Sequence, residues 1–373
     1  MTTKIYYIAN ARMPTEKAHG IQIAKMCEAF VALGIPLELV VSSRGSGSIE
    51  QVYNLTQNIP VRRLPVLDLQ FVGTIGYRLT ALQFVLGALV YVWAKVLAGE
   101  RFVVYTVDMD PFSFAPLVWV PRPVFAEMHG VKRPNFLRRA FFRRANIIAT
   151  NTPIARELAQ TFSIPPERMF IEPNGVDEAA LRAVLSHADA RHRLGLPDEP
   201  FALYVGLFYP WKGLEILVDA ATDSPLPIHL VGGTREQYER VTGTSGERLH
   251  FHGIRPVSER ELWLAAADVL LLVGTALNDD SYLHTSPMKT FEYLGARRAT
   301  VAAATPAMQS IMKENTAFWY KPDDARSLSH AIREAHTSPE AKAKVEAGYA
   351  LAEQYTWRKR AERILAGMQS LTT

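Results

Sequence analysis

The 373-residue chain contains one cysteine, Cys27, so an intramolecular disulfide is excluded. A reducing, cytoplasmic setting follows as the expectation, with Cys27 a small buried apolar residue on an early helix. No complete G-x-G-x-x-G motif occurs, which argues against a nicotinamide-dependent dehydrogenase. The longest uncharged run, LTALQFVLGALVYVWA between Arg78 and Lys95, falls short of the ~20 residues that span a bilayer. It is expected to form a buried or interfacial helix. A signal peptide is not expected: KIYYIAN follows Met1-Thr2-Thr3 directly and reads as a buried strand. Low-complexity segments are lacking too.

What is present is an ordinary globular composition, 48% hydrophobic and 21% charged. The chain is too long for one core and suits two domains. Its net charge of +4 is unevenly placed. Lys132, Arg133, Arg138, Arg139, Arg143 and Arg144 crowd one segment, with Phe136, Phe141 and Phe142 between them. Two readings stand. One is a helix in peripheral association with an anionic membrane; the other is a solvated face whose phenylalanines turn into the core. Nucleic acid is not expected as a partner, because no binding motif accompanies the charge.

Short apolar runs alternate with helical stretches. KIYYIAN, PLELVVSS, RFVVYTVD, PVFAEMHG and NIIATN read as strands, as do FALYVG, PIHLVGG, LHFHGI, VLLLVG and ATVAAA. Between them, GIQIAKMCEAFVALG, residues 75–98, TPIARELAQTF, GLEILVDAA, SERELWLAAA and MKTFEYLGA read as helices. This order predicts α/β architecture with parallel sheets, whose ligands bind at the carboxyl ends of the strands. The expected division is residues 1–180 and 181–355, with a hinge near 178–200. A last helix, about 356–373, is expected to pack back onto the first domain.

Four segments carry candidate chemistry. In LYVGLFYPWKG, a strand ends at Gly206 and Lys212 falls at the turn into the next helix, so its ammonium faces any anion bound there. In HTSPMKTFEYLGA, Ser286-Pro287 reads as a helix start. Lys289 and Glu292 are three apart on one helix face. They form either a surface ion pair or a site in which Glu292 accepts hydrogen bonds from ribose hydroxyls. In VFAEMHG, His129 lies at a strand end, and Glu127 shares its side of the strand. A structural histidine is the plainer alternative to a catalytic one. No third ligand is evident for a metal, and none is expected. Gly20 precedes the helix IQIAKM, and its amide is expected to approach a phosphate or sugar.

Taken in order over nearly the whole chain, these segments resemble the group 1, or family 4, retaining glycosyltransferases of the GT-B fold. The matching segments are Gly20, EMHG, EPNGVD, VGLFYPWKG, LHFHGIRP, SPMKTFEYLGARRATVAA and TWRKRAERIL. The resemblance implies two Rossmann-like, doubly wound domains facing across a cleft, with the donor bound by the second. It implies catalytic roles for His129, Lys212 and Glu292, with Lys212 on the donor diphosphate, Glu292 on the ribose and His129 near the transferred sugar. Gly20, Gly206, Ile254, Arg255, His284, Ser286, Met288 and Lys289 complete the implied donor site, Ile254 and Arg255 at the base. The donor is a nucleotide sugar, UDP favoured over GDP, and it is a substrate, so no cofactor is implied. The apolar run and the basic segment lead to the expectation of a glycan or lipid-linked acceptor, in cell-envelope or polysaccharide synthesis at the inner face of the membrane, with a small soluble acceptor left open.

Two positions depart from the family pattern. Leu207 stands where an arginine often follows the glycine, and His284 where the first of two paired glutamates falls. The same motifs also fit a GT-B sugar-nucleotide epimerase or a non-catalytic nucleotide-sugar-binding protein.

Overall fold

The computed structural model describes residues 3–15, 17–108, 115–182 and 185–371. The chain forms two compact units. One is Met1–Pro173 together with Trp357–Thr373; the other is Asn174–Thr356. The boundary falls inside the PNGVD segment.

The first unit holds a seven-stranded sheet. Its strands are β1 (Lys4–Arg12), β2 (Leu37–Ser42), β3 (Val61–Leu64), β4 (Phe102–Val107), β5 (Val124–Met128), β6 (Asn146–Ala149) and β7 (Met169–Ile171), in spatial order β3-β2-β1-β4-β5-β6-β7. The second unit has six strands: β8 (Ala202–Val205), β9 (Ile228–Val231), β10 (Leu249–Phe251), β11 (Val269–Leu272), β12 (Ala299–Ala303) and β13 (Phe318–Tyr320), ordered β10-β9-β8-β11-β12-β13. Every strand pair described is parallel, as the alternation of apolar runs and helices requires. Both sheets are therefore doubly wound and Rossmann-like. Order reverses between β1 and β4 in the first and between β8 and β11 in the second, and such reversals open a crevice at the strand ends.

Interior strands are apolar because helices cover both faces: β4 and β5 are buried at every position. Three strands escape the sequence pattern, namely β3, β7 and β13. Each spans three or four residues at a sheet edge. With one neighbour and partial exposure, an edge strand needs no long apolar run.

One sequence expectation is extended and one changes. The uncharged run lies within a longer helix, Gly73–Leu97, of 25 residues, which by length and composition alone is enough to cross a membrane. Its Phe84, Ala88 and Val92 lie in the core beneath the sheet, so it is built into the first unit. Ser286-Pro287 does not start a helix. The segment Asp280–His284 makes a π-helical turn, and the next helix begins at Lys289, with Met288 at its cap position and no side-chain cap.

Candidate functional site

In the second unit the strand-end loops around the order reversal converge. β8 ends in Val205, and Gly206 follows with φ 147°, a left-handed value that glycine tolerates. A Cβ placed at Gly206 would lie 2.7 Å from the Lys289 Nζ and 3.5 Å from the Lys212 Nζ. Both ammoniums thus reach the same loop from different elements. Lys212 ends the short turn Pro210–Lys212, and its Nζ donates to the Leu207 carbonyl at 3.0 Å and the Tyr204 hydroxyl at 3.3 Å. Lys289 comes from the helix Lys289–Gly295, donates to the Val205 carbonyl at 2.7 Å and lies 4.5 Å over the Tyr204 ring. Tyr293, one turn on, accepts from the Val205 amide at 2.9 Å and fixes that helix against the strand end.

Neither lysine has a carboxylate ion-pair partner among the described residues. Burial holds the Lys212 ammonium down to about 8. Burial, with the neighbouring Lys212 charge added, pushes Lys289 well below the usual lysine range. Two adjacent, poorly solvated lysines at a strand-end crevice are suited to a multiply charged anion, whose approach favours their protonated forms.

Gly213, which follows Lys212, has φ 68°, and a Cβ there would come within 2.5 Å of the Thr275 Cβ. The loops after β8 and β11 touch at this point, which places Lys212.

Glu292 and Lys289 diverge, so the ion pair the spacing allowed does not form. The Glu292 Oε1 accepts from Arg260 Nη1 at 2.6 Å instead. Burial raises the Glu292 carboxyl, and the Arg260 charge opposes that rise. Among the described residues no protein donor reaches its second oxygen. Arg260 was not foreseen: it lies in the helix SERELWLAAA, 32 residues away, and only the fold joins them.

The other second-unit residues sit as follows. Ile254 is exposed, in the loop after β10; Arg255 Nε donates to the His252 carbonyl at 2.9 Å. His252 in turn bonds His229 at 3.1 Å, tying that loop to β9. His284 Nδ1 lies 3.3 Å from Asp280. The Ser286 carbonyl accepts from Asn174 of the PNGVD segment, while the Ser286 Oγ and Asn174 Oδ1 are buried without a partner. The Met288 carbonyl accepts from the amides of Phe291 and Glu292. Geometry therefore brings Gly206, Lys212 and Lys289 together directly and sets Glu292 on the same helix as Lys289.

Gly20 and His129 belong to the first unit. Gly20 lies inside the helix Ala18–Ala32, is buried, and donates its amide to the Lys17 carbonyl at 2.9 Å. A Cβ there would strike Tyr53 and Thr15. It is closely packed, and its amide bonds within the first turn of the helix. His129 Nε2 lies 2.9 Å from Glu127 Oε1. Glu127 is fully buried and also takes hydrogen bonds from Gln22 at 2.7 Å, from Tyr105, and from Arg360 at 2.9 and 3.3 Å. Burial alone would raise this carboxyl; the Arg360 charge, with His129 and Tyr105, overrides it and holds it at about 2.

Residues 199–338 match the family model described as Glycosyl transferases group 1. A D-inositol 3-phosphate glycosyltransferase from Acidothermus cellulolyticus is 40% identical over 108 residues, which is 28% of this chain and 23% of that relative. The aligned stretch thus spans about a quarter of the relative's length. Among solved structures, sucrose-phosphate synthase from Thermosynechococcus elongatus superposes with a TM-score of 0.76 at 19% identity, covering 99% of both chains. Anabaena HepE in complex with UDP-glucose gives a TM-score of 0.68 at 17% identity, covering 98% of this chain and 99% of that one. Residues 199–338 are thus similar to the group 1 glycosyl transferases, and over its whole length the chain has the GT-B fold of solved glycosyltransferases.

Proposed function

We propose that this chain moves a sugar from a nucleoside-diphosphate donor to a glycan or lipid-linked acceptor with retention of configuration. The observation that carries the reading is the pair of ammoniums, Lys212 and Lys289, at the Gly206 loop. Lys289 supplies the cation that Leu207 does not. The UDP-bound state of HepE supports UDP as the donor nucleotide.

The glycosidic C–O bond to the β-phosphate breaks, and negative charge gathers on the leaving diphosphate. Two lysine side chains already in place, each protonated against the diphosphate, stabilise that charge with little movement, which is electrostatic preorganisation. No metal is required in this scheme. The acceptor hydroxyl attacks from the face the phosphate leaves, and its proton passes to a phosphate oxygen. The second oxygen of Glu292 accepts from the ribose. His129, oriented by Glu127, lies beside the transferred sugar. The setting is cytoplasmic, at the inner face of a membrane, in cell-envelope or polysaccharide synthesis.

The test is a donor panel. UDP-, GDP- and ADP-sugars are compared for stabilisation on heating and for nucleotide release with and without acceptor. Stabilisation by the UDP series alone is expected. Failure of every nucleotide to stabilise the protein overturns the donor site.

A further inference from the structure

The outer face of the helix Gly73–Leu97 is as apolar as its inner face. Ile75, Leu79, Leu82, Leu86, Val90, Trp93 and Leu97 are all exposed, Val90 at 71% and Leu97 at 83%. At 100° per residue they fall within one arc of ~80°, opposite Phe84, Ala88 and Val92 in the core, and run ~33 Å along the helix. Phe71 and Val72 extend the stripe at its start. A stripe of this length exceeds the scatter of single exposed residues that needs no explanation.

The turn Ala115–Trp119 packs against this helix and also against the basic helix Phe136–Phe142. It exposes Trp119, and the basic helix exposes Phe136 and Leu137. Phe141 and Phe142 turn into the core, as the solvated-face reading expects, whereas Phe136 does not. Arg133, Arg139, Arg143 and Arg144 are exposed beside the apolar residues. No acidic residue occurs in 69–99 or in 128–156, and the latter carries seven Lys and Arg.

We propose that this layer of the first unit seats the protein on an anionic lipid bilayer, with the outer face of Gly73–Leu97 lying in the interface. The apolar stripe meets the acyl boundary, and the arginines meet lipid phosphates. Spanning is excluded by the inner face: crossing the bilayer would strip Phe84, Ala88 and Val92 from the sheet. A second copy is disfavoured as the occupant, because self-pairing brings acid-free, cationic borders together. The inference stands on the first unit and does not depend on the donor reading.

The full chain is sedimented with phosphatidylglycerol-containing vesicles and with phosphatidylcholine vesicles. Binding only to the anionic vesicles, weakened by salt, is expected. Leu82→Gln with Leu86→Gln, and separately Arg139→Gln with Arg143→Gln and Arg144→Gln, should each lower partitioning about tenfold or more. The altered positions are exposed, so melting temperature and nucleotide stabilisation should not move. If the leucine pair disturbs folding, Val90→Gln with Leu97→Gln tests the far end of the stripe. Native protein that ignores anionic vesicles, or a stripe variant that binds like native, overturns the proposal. So does a native dimer that the stripe variant converts to monomer without vesicle binding.

Discussion

Arg260 Nη1 lies 2.6 Å from Glu292 Oε1, and both side chains are largely withdrawn from solvent. The pair fixes the carboxylate proposed to meet the ribose. Arg260→Met should leave Glu292 buried without its cation and raise its carboxyl further. Nucleotide affinity should fall about tenfold near neutral pH and recover as rising pH ionises the carboxylate. Calorimetric titration with UDP across pH checks this; an unchanged affinity would show that Glu292 does not bind the nucleotide.

Lys212→Ala and Lys289→Ala should each lower transfer by ~10²-fold while the protein stays folded. Leu207→Arg should restore part of the loss in Lys289→Ala, because it returns a cation to the same loop. Nucleotide release assays decide it, and full activity in both single variants refutes the two-cation site.

Donor binding should be strongest below pH 8 and weaken above it. The Lys212 ammonium is held down to about 8 in the free protein, while a bound diphosphate favours its charged form. Binding should therefore take up protons between about pH 8 and the usual lysine range near 10.5. Calorimetry in buffers of different ionisation enthalpy measures that uptake. The sign for stability is opposite: the folding cost of this charge is present below pH 8 and is relieved as pH rises past it.

Glu127→Gln should destabilise the first unit by about 3–5 kcal/mol, because it removes the main countercharge of buried Arg360. The native carboxyl is held at about 2, below the ordinary value of 4.5. Its contribution is complete above pH 4.5 and is lost as pH falls toward 2. Denaturant titrations at pH 7 and at pH 3 check both statements.

Gly213→Ala should cost about 1–3 kcal/mol and reduce donor affinity, because φ 68° is strained for alanine and its methyl would strike Thr275. A melting curve with and without UDP separates the two effects.

Much of this molecule is written locally. Interior strands such as FVVYTV are legible because burial on both faces demands continuous apolar residues, and the Gly206 turn with Lys212 is legible because strand, loop and helix follow one another in the chain. The edge strands β3, β7 and β13 were not, since pairing on one side leaves a short, mixed segment. Gly20 shows the converse: a glycine at a helix start has the same local pattern whether a ligand or Tyr53 covers it.

The sequence by itself determined the parallel α/β architecture and the order of the motifs, because hydrophobic periodicity and turn chemistry act between near neighbours. Only the tertiary structure decided the partners of the charges. Lys289 turns to the end of β8, Glu292 to Arg260, and Glu127 to Arg360, 233 residues away. It also decided that one apolar helix keeps half its surface outside the core. A buried charge is stabilised by whichever opposite charge or dipole the fold brings near, and that proximity is not encoded in spacing along the chain.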